Sequence, residues 1–506
     1  MKRRWVLTAT ILGSSMAFID GSVVSIALPA LQATMGATIS DVQWVVEAYT
    51  LFLAALMLTG GALGDRLGRK RIFLAGVVVF TAGSIACGLA PNMQALIAFR
   101  ALQGIGAALL VPGSLSIISA VFPDNERGKA IGTWSAFTSI TMVIGPLLGG
   151  VLIDNASWRA IFFINAPLAA IVLFLTLRYV PETRETKRRP IDFPGAALAT
   201  AGLGSLVYGL IESSTLGFGH PRIMGTLGAG VALLVAFVVV EWRSDSPMMP
   251  LALFRSPAFC GTNLMTLFLY GALGGSLFFV PMNLMQVQGY SATRAGAAMI
   301  PMALALMLLS RWAGGLADRI GAKPLLIIGP TITAAGFALF LVPGTDASYW
   351  TGFFPAFMVL GLGMSITVAP LTNTVMGAVS RQHSGVASGV NNAISETAGL
   401  LAVAVLGLVM SHAFNRGLER GLQEAKVPAA IQEEIRGQEP KLAAIEIPPR
   451  VPIAQRTILT QAINESFVDG FHWVTALGAA LSLLSAVCAW LTLSSARPQS
   501  NRREHG

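Results

Sequence analysis

The chain has 506 residues, of which 54% are hydrophobic and 12% charged, with a formal net charge of +9 and a mean hydropathy of +0.68. A soluble domain carries about 25% charged residues, so there is too little polar surface here to cover a globule and the natural solvent is lipid. The positive charge does not gather into a nucleic-acid-binding patch, because the basic residues sort by side of the membrane instead. Cys87, Cys260 and Cys488 all stand in apolar runs, with neither metal-ligand nor disulfide-framework spacing.

A membrane span needs about 20 mostly apolar residues. About fourteen such runs follow in order, near 5–31, 43–64, 71–90, 94–116, 130–153, 160–180, 195–213, 223–241, 258–282, 292–310, 324–343, 350–376, 385–411 and 471–493. The first run follows Met1-Lys2-Arg3-Arg4 and lacks a small-residue cleavage site, so it reads as a retained span. With the N-terminus inside, the even number of spans puts most loop arginines and lysines in the cytoplasm. Only Arg159, Arg222 and Arg294 fall in short outer loops. That bias obeys the positive-inside rule and places both termini in the cytoplasm.

One stretch occurs twice. Gly61-Ala62-Leu63-Gly64-Asp65-Arg66-Leu67-Gly68-Arg69-Lys70 is echoed by Gly314-Gly315-Leu316-Ala317-Asp318-Arg319-Ile320-Gly321-Ala322-Lys323. Both read as basic, glycine-rich loops on the cytoplasmic side, as expected of two halves related by an axis along the membrane normal. The first copy follows the second run and the second copy follows the tenth. Two extra spans, near 195–213 and 223–241, therefore stand between two six-span bundles. The basic linker Arg184–Arg189 and the run Pro190–Gly195 mark the seam before them; Pro247 and Pro250 mark the seam after. The expected architecture is all-α and membrane-embedded. It has a first bundle at 1–180, a linker with two inserted spans at 181–257, and a second bundle at 258–506.

A long outer segment, about 412–470, carries charges of both signs and includes Pro440, Pro448, Pro449 and Pro452. Apolar residues at helical spacing in Phe414–Ala425 and Ile453–Phe467 predict two short amphipathic helices around an extended piece. The segment reads either as a solvated loop or as a docking surface for a periplasmic adaptor and its outer-membrane channel.

Several stretches together carry a family resemblance. The repeated loop resembles the cytoplasmic signature of the major facilitator superfamily. Ile19–Pro29 (Ile-Asp-Gly-Ser-Val-Val-Ser-Ile-Ala-Leu-Pro), Arg100–Gly106, Gly145–Gly150 and Trp158–Pro167 resemble the first-, fourth-, fifth- and sixth-span motifs of its fourteen-span drug–proton antiporter family. Gly21 departs from the larger residue usual there, Ala322 stands where the first loop copy has Arg69, and the outer segment is longer than usual. The resemblance implies a carrier of two six-helix bundles plus two inserted spans. It also implies proton coupling at Asp20 and Arg100, antiport at Gly145, Pro146, Gly149 and Gly150, and a gate built from Gly61, Gly64, Asp65, Arg66, Gly68, Arg69 and Lys70. In such a gate Asp65 latches the bundles in the outward-open state, with Asp318 and Arg319 as the weaker second copy.

Charges inside a span are costly and mark function by default. The acids so placed are Asp20, Glu47 and Glu396, and the base is Arg100. A carboxyl group poised between desolvation and an arginine takes up and releases protons as a site changes sides. Asp20 and Arg100 are read as proton-coupling groups or as satisfied structural partners, and Glu47 and Glu396 likewise. Trp44, Tyr49, Tyr270, Asn283, Asn373 and Asn392 are candidates for an apolar pathway suited to hydrophobic, cationic compounds.

The sequence lacks a zinc-protease helix, a nucleophile elbow and a phosphate-binding loop. Taken with the resemblance, it reads as a secondary exporter driven by the proton gradient, with no cofactor, no metal and no nucleic-acid partner. The alternative is a carrier dedicated to one metabolite, such as an antibiotic or siderophore.

Overall fold

The computed structural model describes residues 2–184, 191–380, 384–424 and 428–493. The linker residues 185–189, together with Arg381, His383, Arg497, Arg502 and Arg503, lie outside the described residues. The helices are α1 (Lys2–Met35), α2 (Ile39–Leu67), α3 (Arg69–Gly88), α4 (Met93–Val121), α5 (Asp124–Asn155), α6 (Ala160–Phe163), α7 (Asn165–Tyr179), α8 (Phe193–Leu216), α9 (Pro221–Arg243), α10 (Pro257–Met282), α11 (Ala292–Ala298), α12 (Ile300–Ile320), α13 (Ala322–Leu339), α14 (Phe354–Gly377), α15 (Ser384–Glu424), α16 (Ala429–Arg436) and α17 (Ile453–Thr492).

Thirteen helical spans among the described residues are long and apolar enough to cross a membrane, with α6–α7 and α11–α12 each counted as one. α5, at 32 residues, packs along α1 and completes fourteen. Helices are the natural result, since lipid offers no partner to an unpaired backbone group.

The packing repeats. In the first half α2 and α3 pack on α4, α1 on α5, and α1 on α7; in the second, α12 and α13 pack on α14, α10 on α15, and α10 on α17. The cross-half contacts obey the same symmetry, with α5 against α11–α12 and α15 against α2. Small residues allow this. A Cβ on Gly60 would lie 2.1 Å from the Ala108 carbonyl oxygen, and one on Gly363 would lie 2.5 Å from the Thr333 nitrogen. The inserted pair, α8 and α9, pack on each other, and α8 lies against both α2 and α15. α9 is largely lipid-facing, with only 11% of its most apolar stretch buried.

Two expectations need correction. The repeated stretches are not loops. Gly61–Leu67 is the last two turns of α2, and Arg69 already begins α3. The turn is the single residue Gly68, at φ 117°; its counterpart Gly321, at φ 88°, stands between α12 and α13. Only glycine takes such angles without strain. Nor are there two separate short helices in the outer segment. Phe414–Glu424 continues α15, and Ile453–Phe467 is the start of α17. The amphipathic spacing was real, but each stretch is in phase with its span and propagates it, which is cheaper than a new nucleus. α15 and α17 pack together beyond the bilayer, where Arg420 lies 3.5 Å from Asp469.

Candidate functional site

Asp20, from the first span, and Arg100, from the fourth, meet in the interior of the first half. Arg100 Nη1 donates to Asp20 Oδ2 at 2.5 Å, and each side chain is only 1% exposed. The other carboxylate oxygen, Oδ1, accepts from Gln103 Nε2 at 2.7 Å and from Asn165 Nδ2 at 3.5 Å. Arg100 has further anchors. Its Nε donates to the Val45 carbonyl at 2.9 Å, its Nη1 to Gln103 Oε1 at 2.8 Å, and its guanidinium carbon lies 4.3 Å from the centre of the Tyr49 ring. Asn165 Nδ2 also donates to Ser84 Oγ, which in turn donates to the Phe162 carbonyl.

This arrangement satisfies a buried ion pair on all sides, the condition under which such a pair is tolerable. It also has a chemical consequence. If Asp20 takes a proton, the guanidinium keeps three partners: a carbonyl, an amide oxygen and an aromatic face. The charge therefore stays put while the carboxyl group changes state.

Glu47 and Glu396 form a second locus. Glu47 is 1% exposed, and its Oε2 has no hydrogen-bond partner. It lies within the electrostatic reach of Glu396, which comes from the opposite half on α15. The α2–α15 seam places them. Gln43, one turn before Glu47, donates to the Val403 carbonyl at 2.8 Å. Tyr49 stands between the two loci, under Arg100 and within the field of Asp20 and of Glu396.

Of the pathway candidates, Tyr270 is half-buried and senses Glu396. Asn283 is buried with its Nδ2 unpartnered. Asn373 and Asn392 are exposed. Trp44 packs on Tyr208 of the inserted pair, ring centres 6.2 Å apart, and so belongs to the seam with α8.

The glycines of the fifth span sit in two seams at once. A Cβ on Gly145 would lie 1.9 Å from Ser22 Oγ, and one on Gly149 would lie 2.9 Å from Val23 Cγ1, both on α1. One on Gly150 would lie 2.3 Å from the Ala292 carbonyl oxygen on α11, in the other half. Pro146 offers its carbonyl to the same crossing, 2.2 Å from a Cβ on Gly296. Just beyond, Asp154 accepts from the backbone N–H groups of Ala292 and Thr293 at 3.1 and 2.8 Å. α5 thus caps the start of α11 across the halves.

At the opposite end, Asp65 accepts from Arg69 Nε at 2.8 Å, within its own turn. Lys70 Nζ donates to the carbonyl of Leu177, near the end of α7, at 3.0 Å, and Arg69 N to the Thr183 carbonyl at 2.9 Å. Glu182 accepts from Lys70 N at 3.1 Å, and Arg66 is exposed. The second copy repeats the grip. Lys323 Nζ donates to the Leu493 carbonyl, just past the end of α17, at 2.6 Å. Arg319 is exposed, and the side chain of Asp318 lies outside the described ones. In this arrangement the Asp65 contact stays within one half.

The family model of the Major Facilitator Superfamily matches residues 10–403. The chain belongs to that superfamily. Among its relatives, the multidrug resistance protein Stp of Mycobacterium tuberculosis (strain CDC 1551 / Oshkosh) is 33% identical over 504 residues, 97% of this chain and 92% of Stp. The tetracenomycin C resistance and export protein of Streptomyces glaucescens is 32% identical over 496 residues, again 97% and 92%. Among solved structures, a bacterial homologue of the human lysosomal transporter Spinster, inward-facing and unoccupied, superposes with a TM-score of 0.65 at 19% identity. That match covers 98% of this chain and 99% of the other. The superfamily fold makes this a multi-pass membrane protein built as a transporter.

Four polar groups of the site escaped the sequence reading. Gln103 and Asn165 stand inside stretches that carried the resemblance; Gln103 is also three residues from Arg100, on the same helix face. Asp154 had a signal of its own, since an acid in the last turn of a helix opposes the dipole and calls for a partner elsewhere. Ser84 had none.

Proposed function

We propose that the protein is a proton-coupled exporter of hydrophobic, cationic drug-like compounds, working by alternating access between two bundles. The observation that carries this reading is full-length similarity, at 32–33% identity, to relatives named for multidrug resistance and for antibiotic export. Protons moving down their gradient drive the compound outward, and no cofactor is needed. The protein sits in the cytoplasmic membrane with both termini inside, as the distribution of basic residues indicates. The division is 1–180, 181–257 and 258–506, with the middle part an insert.

Asp20 is the proton carrier and Arg100 its partner, supported by their burial and by the spare anchors of Arg100. Glu47 and Glu396 add titratable groups at the seam between the halves. The turn at Gly61–Lys70 acts as the gate, with Asp65 exchanging Arg69 for a partner in the other half when the outer side opens. Gly145, Pro146, Gly149 and Gly150 keep α5 tight against both halves during the exchange.

The test is substrate-induced proton release from the purified protein, combined with quenching of a fluorescent cationic dye in everted vesicles. Release by several unrelated cations supports the reading. Release by none across a broad panel sinks it. A dedicated carrier is the second reading, favoured by the relative named for tetracenomycin C; release by one compound class alone would select it.

A further inference from the structure

The base of the inserted pair holds two acids that the exporter reading does not use. Asp192 precedes α8, and Glu241 lies in the last turn of α9. Each gives one carboxylate oxygen to the backbone. Asp192 Oδ1 accepts from Gly195 N at 2.7 Å, and Glu241 Oε2 accepts from Met249 N at 2.9 Å. The remaining oxygens, Asp192 Oδ2 and Glu241 Oε1, are shut off from solvent and have no donor. The two carboxyl groups lie close enough to act on each other directly. They converge over Gly195, where a Cβ would lie 2.7 Å from the first and 2.8 Å from the second. The side chain of Glu241 is deeply buried, with the residue 2% exposed.

Two carboxylates in such contact cannot both carry a charge without something between them. A magnesium ion keeps several waters and a calcium ion takes about six to eight oxygens, and oxygens with no accessible surface leave room for neither. A proton fits. We propose that Asp192 and Glu241 bind one proton between them, forming a pH-sensitive clasp that ties α8 and α9 to the segment entering the second half. On binding, the proton leaves a hydronium ion, bonds to one of the two facing oxygens and is donated to the other. On release it returns to water on the side where the repeated turns lie. No electrons are transferred.

The clasp joins three pieces of chain: the start of α8 through Gly195, the end of α9, and Met249 ahead of α10. Without the proton two negative charges face each other and the joint loosens. Among the described residues, the charged neighbours leave this balance to the pair. Asp192 is the charged group whose field acts on Glu241. Arg243 and Asp245 on the same stretch are exposed, as is Arg255 before α10. On α2, against which α8 packs, Arg66 is exposed and Asp65 is bound to Arg69.

The test uses the purified full-length protein in detergent. Its melting temperature is followed from mildly acidic to mildly alkaline pH, for the wild type, Glu241→Gln and Asp192→Asn. An amide at either position donates to the facing oxygen at every pH and so imitates the protonated pair. The wild type is expected to lose melting temperature as the pH rises. Each amide variant should lose that part of the pH dependence and melt several degrees above the wild type at alkaline pH. Infrared difference spectra should show a protonated carboxyl band in the wild type that is missing from both variants. Melting profiles parallel to the wild type would overturn the clasp. So would a magnesium- or calcium-dependent rise in melting temperature that the amide variants lack, since that marks a metal site. If Glu241→Gln does not fold, Asp192→Asn and the infrared band still decide the question. Dye transport is measured separately, so failure of the exporter reading leaves this result intact.

Discussion

At the scale of single residues the buried pair makes two distinct predictions. Asp20→Asn removes the titratable group but keeps the shape and one acceptor oxygen, so Arg100 can still donate to it, while an amide nitrogen replaces the oxygen that faced Gln103. Transport driven by a pH gradient should fall by about tenfold or more, a loss of about 1.4 kcal/mol or more in the driving of the step, while the melting temperature stays close to that of the wild type. Gradient-driven transport at the wild-type rate would rule out Asp20 as the carrier. Arg100→Ala instead leaves a bare carboxylate in the interior, which costs about 3–5 kcal/mol. It should depress expression and melting temperature as well as transport, and a thermal melt separates the two cases. Asp20 and Arg100 were legible in the sequence because a charge stands out in an apolar run. Gln103, Asn165 and Ser84 were not, because uncharged polar side chains are common on helix faces and only contact distinguishes those that bind the pair.

At the scale of elements, the crossing of α5 with α11 is a tight joint between the halves. Gly150→Ala would push a methyl group into the Ala292 carbonyl, a strain of about 1–3 kcal/mol. The variant should reach the membrane but transport several-fold more slowly; unchanged dye efflux would show that the crossing tolerates separation. The outer cap makes a pH prediction. Glu439, in the turn after α16, is held above the usual carboxylate range by burial and then by Glu419, with Arg436 opposing. A carboxyl group raised in this way binds its proton more tightly in the folded cap than in the unfolded chain, so the cap weakens as pH rises through that range. Glu439→Gln should flatten this dependence, read as limited proteolysis of the outer segment against pH. The sequence marked these elements but misread their limits. The repeated stretch looked like a loop because it is rich in glycine and charge, yet only Gly68 and Gly321 need backbone angles that other residues avoid. The remaining glycines of the two stretches lie within helices, where a Cβ would meet nothing closer than 3.7 Å, and they leave the helix intact.

At the scale of the molecule, hydropathy and the repeat were enough to predict two bundles and an inserted pair, because lipid enforces long apolar helices. How the halves meet was not legible, since seams depend on which faces turn toward each other. The outer seam is pinned at Gln32, 3% exposed, which accepts from Gln286 Nε2 of the second half at 2.8 Å and donates to the Lys441 carbonyl of the cap at 3.4 Å. Outward opening must break these bonds. A Gln32→Cys, Gln286→Cys double variant bridged by a short thiol reagent should stop transport, and a cleavable bridge should restore it on reduction, with the single variants active. Undiminished transport by the bridged protein would place the moving seam elsewhere.

The outward extension of α15 and α17 has a practical consequence. α15 is 41 residues long, about 60 Å at 1.5 Å per residue, against a hydrocarbon layer of about 30 Å. The two helices therefore raise a stiff, asymmetric handle above one face of an otherwise featureless micelle. For a 53.1 kDa protein that handle is a natural fiducial. It should orient particle images in electron microscopy and offer a rigid epitope for antibody fragments, without a fused marker.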